Sequence, residues 1–183
     1  PPLKSGPGEV QNFVDATLKH YREIWKSLQE NHSCQIIQNN FELPPNAIFG
    51  NLETVFSGSH SFSLTQLNLA FSHEASRTPG LLLQDVHRLS AQLGLDRWFD
   101  RDRWFRYKIV TTSAGSLALA RSLNALIKGI YGKSRKVLVL DLDNTLWGGV
   151  IGDDGADKII IGRETPLAEA YTAFQEYCLA LRN

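Results

Sequence analysis

Methionine is absent from all 183 residues, cysteine occurs twice, and no apolar run is longer than a few residues. The short runs exclude a membrane-spanning helix, which needs about 20 consecutive apolar residues. A charged opening followed by an apolar stretch is also missing, so no secretory signal is read and the cytoplasm is the simplest location. Cys34 and Cys178 are too few and too far apart for a disulfide framework, and are expected to be reduced, mostly buried thiols. Neither sign of charge is in excess, with 19 basic and 19 acidic residues, so no overall field recruits nucleic acid or an anionic membrane. Nor is apolar content lacking: 43% hydrophobic against 21% charged residues excludes a disordered chain. The missing methionine and the opening Pro1-Pro2-Leu3-Lys4-Ser5-Gly6-Pro7-Gly8 lead to the expectation of an excerpt whose residues 1–8 form a linker or trimmed end.

What is present alternates helix and strand patterns, which predicts an α/β architecture. Over 9–29, Val10, Phe13, Val14, Leu18, Tyr21, Ile24, Trp25 and Leu28 recur at three- and four-residue spacing, the mark of an amphipathic helix. A short strand is expected around Ile36 and Ile37, then a loop at Pro44-Pro45, a helix carrying Leu64, Leu67, Phe71 and Ala75, and a buried strand at Leu81-Leu82-Leu83. Val86, Leu89 and Leu93 form a short helix that Gly94 can end. Over 113–131 a helix capped by Ser113 should bury Leu117, Ala120, Leu123, Ile127 and Ile130. Val137-Leu138-Val139-Leu140 reads as a parallel strand covered on both faces. Thr165 and Pro166 open a last helix with Leu167, Ala170, Phe174, Cys178 and Leu181 inward. The basic stretch at 132–136 marks a boundary, giving domains at 9–132 and 133–183.

Asp141-Leu142-Asp143-Asn144-Thr145 follows the aliphatic run at its carboxyl end, where open parallel sheets place their ligand sites. If the strand geometry persists, Asp141 and Asp143 share a side, and two such carboxylates repel unless a cation or a proton intervenes. Mg²⁺ suits the pair because it takes oxygen ligands, keeps waters and bridges phosphate oxygens. One carboxylate can then attack phosphorus while the other handles protons. An EF-hand-like calcium loop is excluded, since its required glycine and glutamate positions hold Leu146 and Gly152. A purely structural role as turn or capping residues stays open. Downstream, Gly148 and Gly149 permit a tight bend and Asp154-Gly155 favours a hairpin turn, so a small hairpin covering the site is expected.

The run 136–155, with the Asp-x-Asp-x-Thr motif extended by Leu146-Trp147-Gly148-Gly149-Val150-Ile151-Gly152-Asp153-Asp154-Gly155, resembles the first motif of the haloacid dehalogenase (HAD) superfamily in its FkbH-like branch. Upstream, Gln38-Asn39-Asn40-Phe41-Glu42-Leu43-Pro44-Pro45, Asp85-Val86-His87-Arg88-Leu89 and Leu95-Asp96-Arg97-Trp98-Phe99-Asp100 are similar to the SGNH-hydrolase-like domain that precedes the HAD domain in such proteins. The resemblance implies a flavodoxin-like parallel-sheet region followed by the start of a HAD Rossmann-like domain. It implies that Asp141 is nucleophile and Mg²⁺ ligand, and that Asp143 is general acid/base and gives its backbone carbonyl to the metal as a second ligand. Asn144, Thr145, Gly148 and Gly149 would bind substrate or support the loop. The implied activity takes a glyceryl unit from a phosphorylated three-carbon substrate such as 1,3-bisphosphoglycerate, loads it on an acyl carrier protein in polyketide-type biosynthesis, and removes phosphate. The later HAD motifs and an acyl-transfer thiol are not found in the chain, so by itself it is expected to be nearly inactive. The alternative is a non-catalytic docking module of a larger synthase.

Other candidates are weaker. Ser57-Gly58-Ser59-His60 lacks the elbow of a serine hydrolase and reads as a polar loop, leaving the upstream domain non-catalytic. His32 with Cys34, and His60 with His73, fit no four-ligand zinc spacing. The mixed run 96–108 reads as a salt-bridged surface anchored by aromatics rather than a nucleic-acid face.

Overall fold

Pro7 stands in the first helical turn, where its missing N–H costs nothing, and the Gly6 N–H donates to the Glu9 carboxylate at 2.9 Å. These residues start helix α1, Pro7–His32, in the computed structural model, which describes residues 6–182. The expected linker is therefore helical at Pro7 and Gly8, and its residues 1–5 lie outside the described residues. Ser33, at φ 48°, ends the helix by donating its N–H to the Gln29 carbonyl. Strand β1, Ile36–Asn39, follows, and helix α2, His60–Arg77, returns the chain to strand β2, Leu81–Gln84. The two strands pair in parallel with Ile36 opposite Leu81 and Asn39 opposite Gln84. This is the βαβ crossover that an α/β fold requires.

The chain divides into two compact units, Pro1–Ser134 and Arg135–Asn183. In the first, Val10, Val14, Leu18 and Trp25 of α1 meet Leu67 and Phe71 of α2 over Ile36 and Leu81. Phe71, fully buried, has ring centroids 5.0 Å from Tyr21, 5.5 Å from Trp25 and 5.7 Å from Phe41. Each buried side chain of this size contributes about 1.5–3 kcal/mol. Ser59 is no member of a polar loop: it is fully buried and caps α2 by accepting the Phe62 N–H at 3.0 Å, while its hydroxyl donates to the Glu53 carbonyl. Cys34 also departs from expectation, being exposed, whereas Cys178 is half-buried; both are free thiols.

Helices α3, Val86–Leu93, and α4, Leu95–Trp98, are joined by Gly94, and α5, Arg101–Tyr107, leads to α6, Ser113–Ile130. Residues 96–108 carry the expected surface, with an Arg106–Asp102 ion pair and Lys108 over the Trp104 ring. Two expectations for α6 fail. Its cap is Thr112, whose hydroxyl accepts the Gly115 N–H, rather than Ser113. Its packed side runs through Gly115, Ala118, Leu119, Ser122, Leu126 and Ile130, so of the expected stripe only Ile130 keeps partial cover while Leu117, Ala120, Leu123 and Ile127 are exposed. The helix is apolar on nearly every side, so two stripes fit the same period, and the Gln84 side chain, donating to the Leu119 carbonyl at 2.9 Å, selects the other one.

In the second unit, residues 137–140 form no strand. Val137 and Val139 are 77% and 86% exposed, because no strand among the described residues pairs with their backbone. An aliphatic run reports suitability for a covered sheet, but ladder hydrogen bonds need a neighbour. Helix α7, Ile151–Asp154, and a 3₁₀ turn at Ala156–Lys158 lead to α8, Pro166–Ala180, capped by Thr165 as expected. Its inner face is Ala168, Tyr171, Thr172, Gln175 and Cys178; Leu167, Phe174 and Leu181 are exposed and only Cys178 of the expected stripe is retained with partial cover. Among the described residues no helix is long and apolar enough to cross a membrane.

Candidate functional site

The chain turns as soon as it reaches the acidic motif. The Leu142 carbonyl accepts the N–H groups of Thr145 at 3.2 Å and Leu146 at 2.8 Å, closing a tight loop. Asp141 therefore stands before the turn and Asp143 inside it, rather than both along one extended strand. Asp141 is exposed, and its Oδ1 accepts the adjacent Leu142 N–H at 2.8 Å, which leaves Oδ2 for an incoming group. Asp143 is half-buried and held from two sides: its Oδ1 accepts Trp147 Nε1 at 3.0 Å and the Ile151 N–H at 3.3 Å.

Asn144 makes the bend possible. Its φ is 55°, a left-handed conformation that asparagine tolerates better than most residues. Its side-chain oxygen accepts the Gly149 N–H at 2.9 Å, tying the loop to the glycine pair. Gly149, at φ 98°, needs the freedom of glycine. Gly148 is buried, and a Cβ there would lie 3.0 Å from both Ile160 and Tyr171 side-chain atoms. Thr145 is half-buried in the same loop, and the Leu146 carbonyl accepts Gln175 Nε2 at 2.7 Å from α8.

The expected hairpin takes a different form. Its arms meet in one antiparallel bridge, with Gly148 and Ile160 exchanging N–H···O bonds of 3.0 and 2.8 Å. Between them the chain is helical instead of a two-residue turn. The Asp154 carboxylate accepts the Val150 N–H at 2.9 Å, and Gly155, at φ 80°, ends α7. The sequence marks Asp154 as a turn former and assigns no role to Trp147 or to the Ile151 N–H. The signal for the first was an indole four residues after a carboxylate; for the second, a backbone donor, there was none.

The donor set is one of hard oxygens. The Asp141 carboxylate and the Asp143 backbone carbonyl offer oxygens within three residues, which suits Mg²⁺, an ion held by one or two carboxylates with waters and substrate phosphate completing its shell. Among the described residues no group of three or more His, Cys, Asp or Glu side chains could enclose a metal.

A sequence profile described as the FkbH N-terminal domain matches residues 4–141, well over half of the chain and ending on the first aspartate of the loop. No curated protein sequence matches the chain. Among solved structures, the chain is similar to the N-terminal part of the protein BF1531 from Bacteroides fragilis, described as containing a phosphatase domain complexed with Mg. The identity is 28% and the TM-score 0.78, over 94% of this chain and 46% of that one. The chain thus spans less than half the length of that structure.

Proposed function

The chain belongs to the FkbH family through its N-terminal domain, and from that premise we propose that it contributes the nucleophile loop of a Mg²⁺-dependent phosphoryl-transfer enzyme. One observation carries the reading: Asp141 is solvent-facing while Asp143, two residues on, is held by the Trp147 indole and the Ile151 N–H. The Mg-bound phosphatase domain in the similar structure supports it.

In this reading Asp141 Oδ2 attacks phosphorus, an O–P bond forms, and the bond from phosphorus to the leaving oxygen breaks. Both N–H donors to Asp143 fall on Oδ1, so Oδ2 is the oxygen that carries the proton to the leaving group. A water then attacks the aspartyl-phosphate, returns a proton to Asp143 and frees phosphate and the Asp141 carboxylate. Bound Mg²⁺, held by the Asp141 carboxylate and the Asp143 backbone carbonyl, would supply countercharge to the phosphate oxygens. Asn144, Thr145, Gly148 and Gly149 keep the loop in shape around that chemistry. The proposed substrate is a phosphorylated three-carbon acid such as 1,3-bisphosphoglycerate. Its glyceryl unit would pass to an acyl carrier protein in the cytoplasm, in polyketide-type biosynthesis. The reading as a docking module is favoured by a different observation, the exposed Leu117, Leu123 and Ile127 of α6.

The test is phosphate release by the full-length protein with and without Mg²⁺. Asp141→Asn should reduce release to background, and Asp143→Asn should lower it ~10²–10⁴-fold, with circular dichroism unchanged in both. Turnover by Asp141→Asn at the parent rate would overturn the enzymatic reading.

A further inference from the structure

Between Asp102 and Asp141 the sequence carries eight Lys or Arg and no Asp or Glu, although the chain as a whole is neutral. Helix α6 lies inside this stretch, and the side away from its packed face is open to solvent. Leu117, Arg121, Asn124 and Lys128 follow one another at four-, three- and four-residue spacing, so they form one exposed row along the helix. Leu123, Ile127 and Tyr131, each four residues from the last, form a second exposed row beside it. Lys133 follows just past the helix end. Among the described residues, none of Arg121, Lys128 and Lys133 takes part in an ion pair.

The solvent side of α1, in the same unit, has the opposite character. That helix mixes three Lys or Arg with four Asp or Glu, pairs Lys26 with Glu30 and Arg22 with Glu74 of α2, and exposes only Ile24 among its large apolar side chains. Its charges are balanced on the spot, whereas those of α6 are left uncompensated beside leucine, isoleucine and tyrosine. Apolar and aromatic groups interleaved with Arg, with acids depleted, are the composition of surfaces that bind protein. A lipid surface fits less well, because a helix lying on a membrane turns an apolar face inward, and here Arg121, Asn124 and Lys128 occupy the middle of the outward face. A nucleic acid backbone would satisfy the cations and leave the aliphatic side chains uncovered. A helix that carries carboxylates along an apolar stripe covers both rows at once.

We propose that α6 is the docking face for an acidic amphipathic helix of a partner protein, whose Asp or Glu side chains pair with Arg121 and Lys128 and whose apolar stripe covers Leu117, Leu123 and Ile127. This gives a partner chemistry to the docking-module reading, on which it rests, and asks nothing of Asp141.

Two labelled peptides test it, one of three heptads of Leu-Ala-Glu-Leu-Glu-Glu-Ala and one with Gln in place of every Glu. Fluorescence anisotropy during titration with the whole chain should saturate, with the acidic peptide binding at least ~10-fold more tightly than the neutral one at ~50 mM NaCl. The advantage should shrink at ~300 mM NaCl. Arg121→Glu combined with Lys128→Glu should remove it, with circular dichroism showing the helices intact; Arg121→Gln with Lys128→Gln serves if the reversed pair unfolds. Leu117→Ser combined with Ile127→Ser should weaken both peptides. Equal affinity for the two peptides would overturn the acidic partner and leave the docking face standing, while binding of neither would overturn both. Tighter binding to phosphatidylserine vesicles or to a DNA duplex than to the acidic peptide, or unchanged affinity in either folded variant, would also overturn the proposal.

Discussion

Arg22 and Glu74 lie 52 positions apart in sequence, on α1 and α2, and meet through a two-pronged ion pair. The Arg22 side chain hydrogen-bonding to the carboxylate is the main reason the Glu74 pKa falls below its ordinary value, against the opposing effect of burial. Glu53, buried beneath the start of α2, shifts the same way because Ser61 donates to it and the Phe49 N–H adds a second bond. A carboxyl whose folded pKa is depressed stabilises the fold above its unfolded value and loses that contribution as pH falls through the folded one. Stability should therefore decline as pH drops below the unfolded glutamate value of about 4.3. Arg22 is half exposed, so screening holds the pair's share to about 1 kcal/mol or less. Chemical denaturation at pH 7 and at pH 3 checks this: Glu74→Gln should narrow the gap between the two midpoints, and an unchanged gap would contradict the assignment. At the same scale, Asn144 shows what a motif letter conceals. Its type was visible at once, but its φ of 55° and its bond to Gly149 belong to the folded loop.

Helix α6 is positioned by its first turn. A Cβ on Gly115 would come within 3.2 Å of the Thr111 Cβ and 3.3 Å of Trp98 Cε3. Alanine at a helical position normally gains about 1 kcal/mol over glycine. Here both neighbours are held, Trp98 by burial and Thr111 by the bond from Arg103 to its carbonyl, so crowding should exceed that gain. Gly115→Ala is expected to destabilise the first unit by about 1–2 kcal/mol, the usual range for overpacking. A thermal melt that rises instead would show that the ring can move aside. The composition of the same helix explains why its buried face differs from the expected one. Periodicity locates an apolar stripe only when the opposite side is polar, and α6 carries leucine, isoleucine or alanine on most of its circumference. For α8 the rotation has the same origin, with Ala168, Tyr171 and Gln175 taking the inner side and Leu167 and Phe174 left exposed.

Over the whole molecule, burial is divided unevenly between the two units. Among the described residues, the one buried hydrophobic side chain of Arg135–Asn183 is Ala168; the rest, from Val10 to Trp98, belong to Pro1–Ser134. Local stability follows apolar cover, so the two units should open at different free energies. Hydrogen exchange read by mass spectrometry should show α1 and β2 protected at least ~10²-fold more strongly than residues 137–150, because their opening requires loss of the Phe71 cluster. Equal protection across the chain would show that burial of side chains is no guide to its cooperativity.

The amino-acid order alone determined the α/β alternation, α1 and its core face apart from the exposed Ile24, the two parallel strands, the caps at Gly94 and Thr165, and the acidic loop with its glycine pair. All of these rest on local signals: period, capping groups, and residues suited to tight turns. Tertiary structure decided which stripe of α6 and α8 faces inward, that residues 137–140 stay unpaired, that Asp143 is tied to Trp147 and Ile151, and that Trp98 is buried with its N–H unmatched. Those features depend on partners distant in sequence or on backbone donors that no residue letter announces, and a ladder or a buried face exists only once a neighbour is there to complete it.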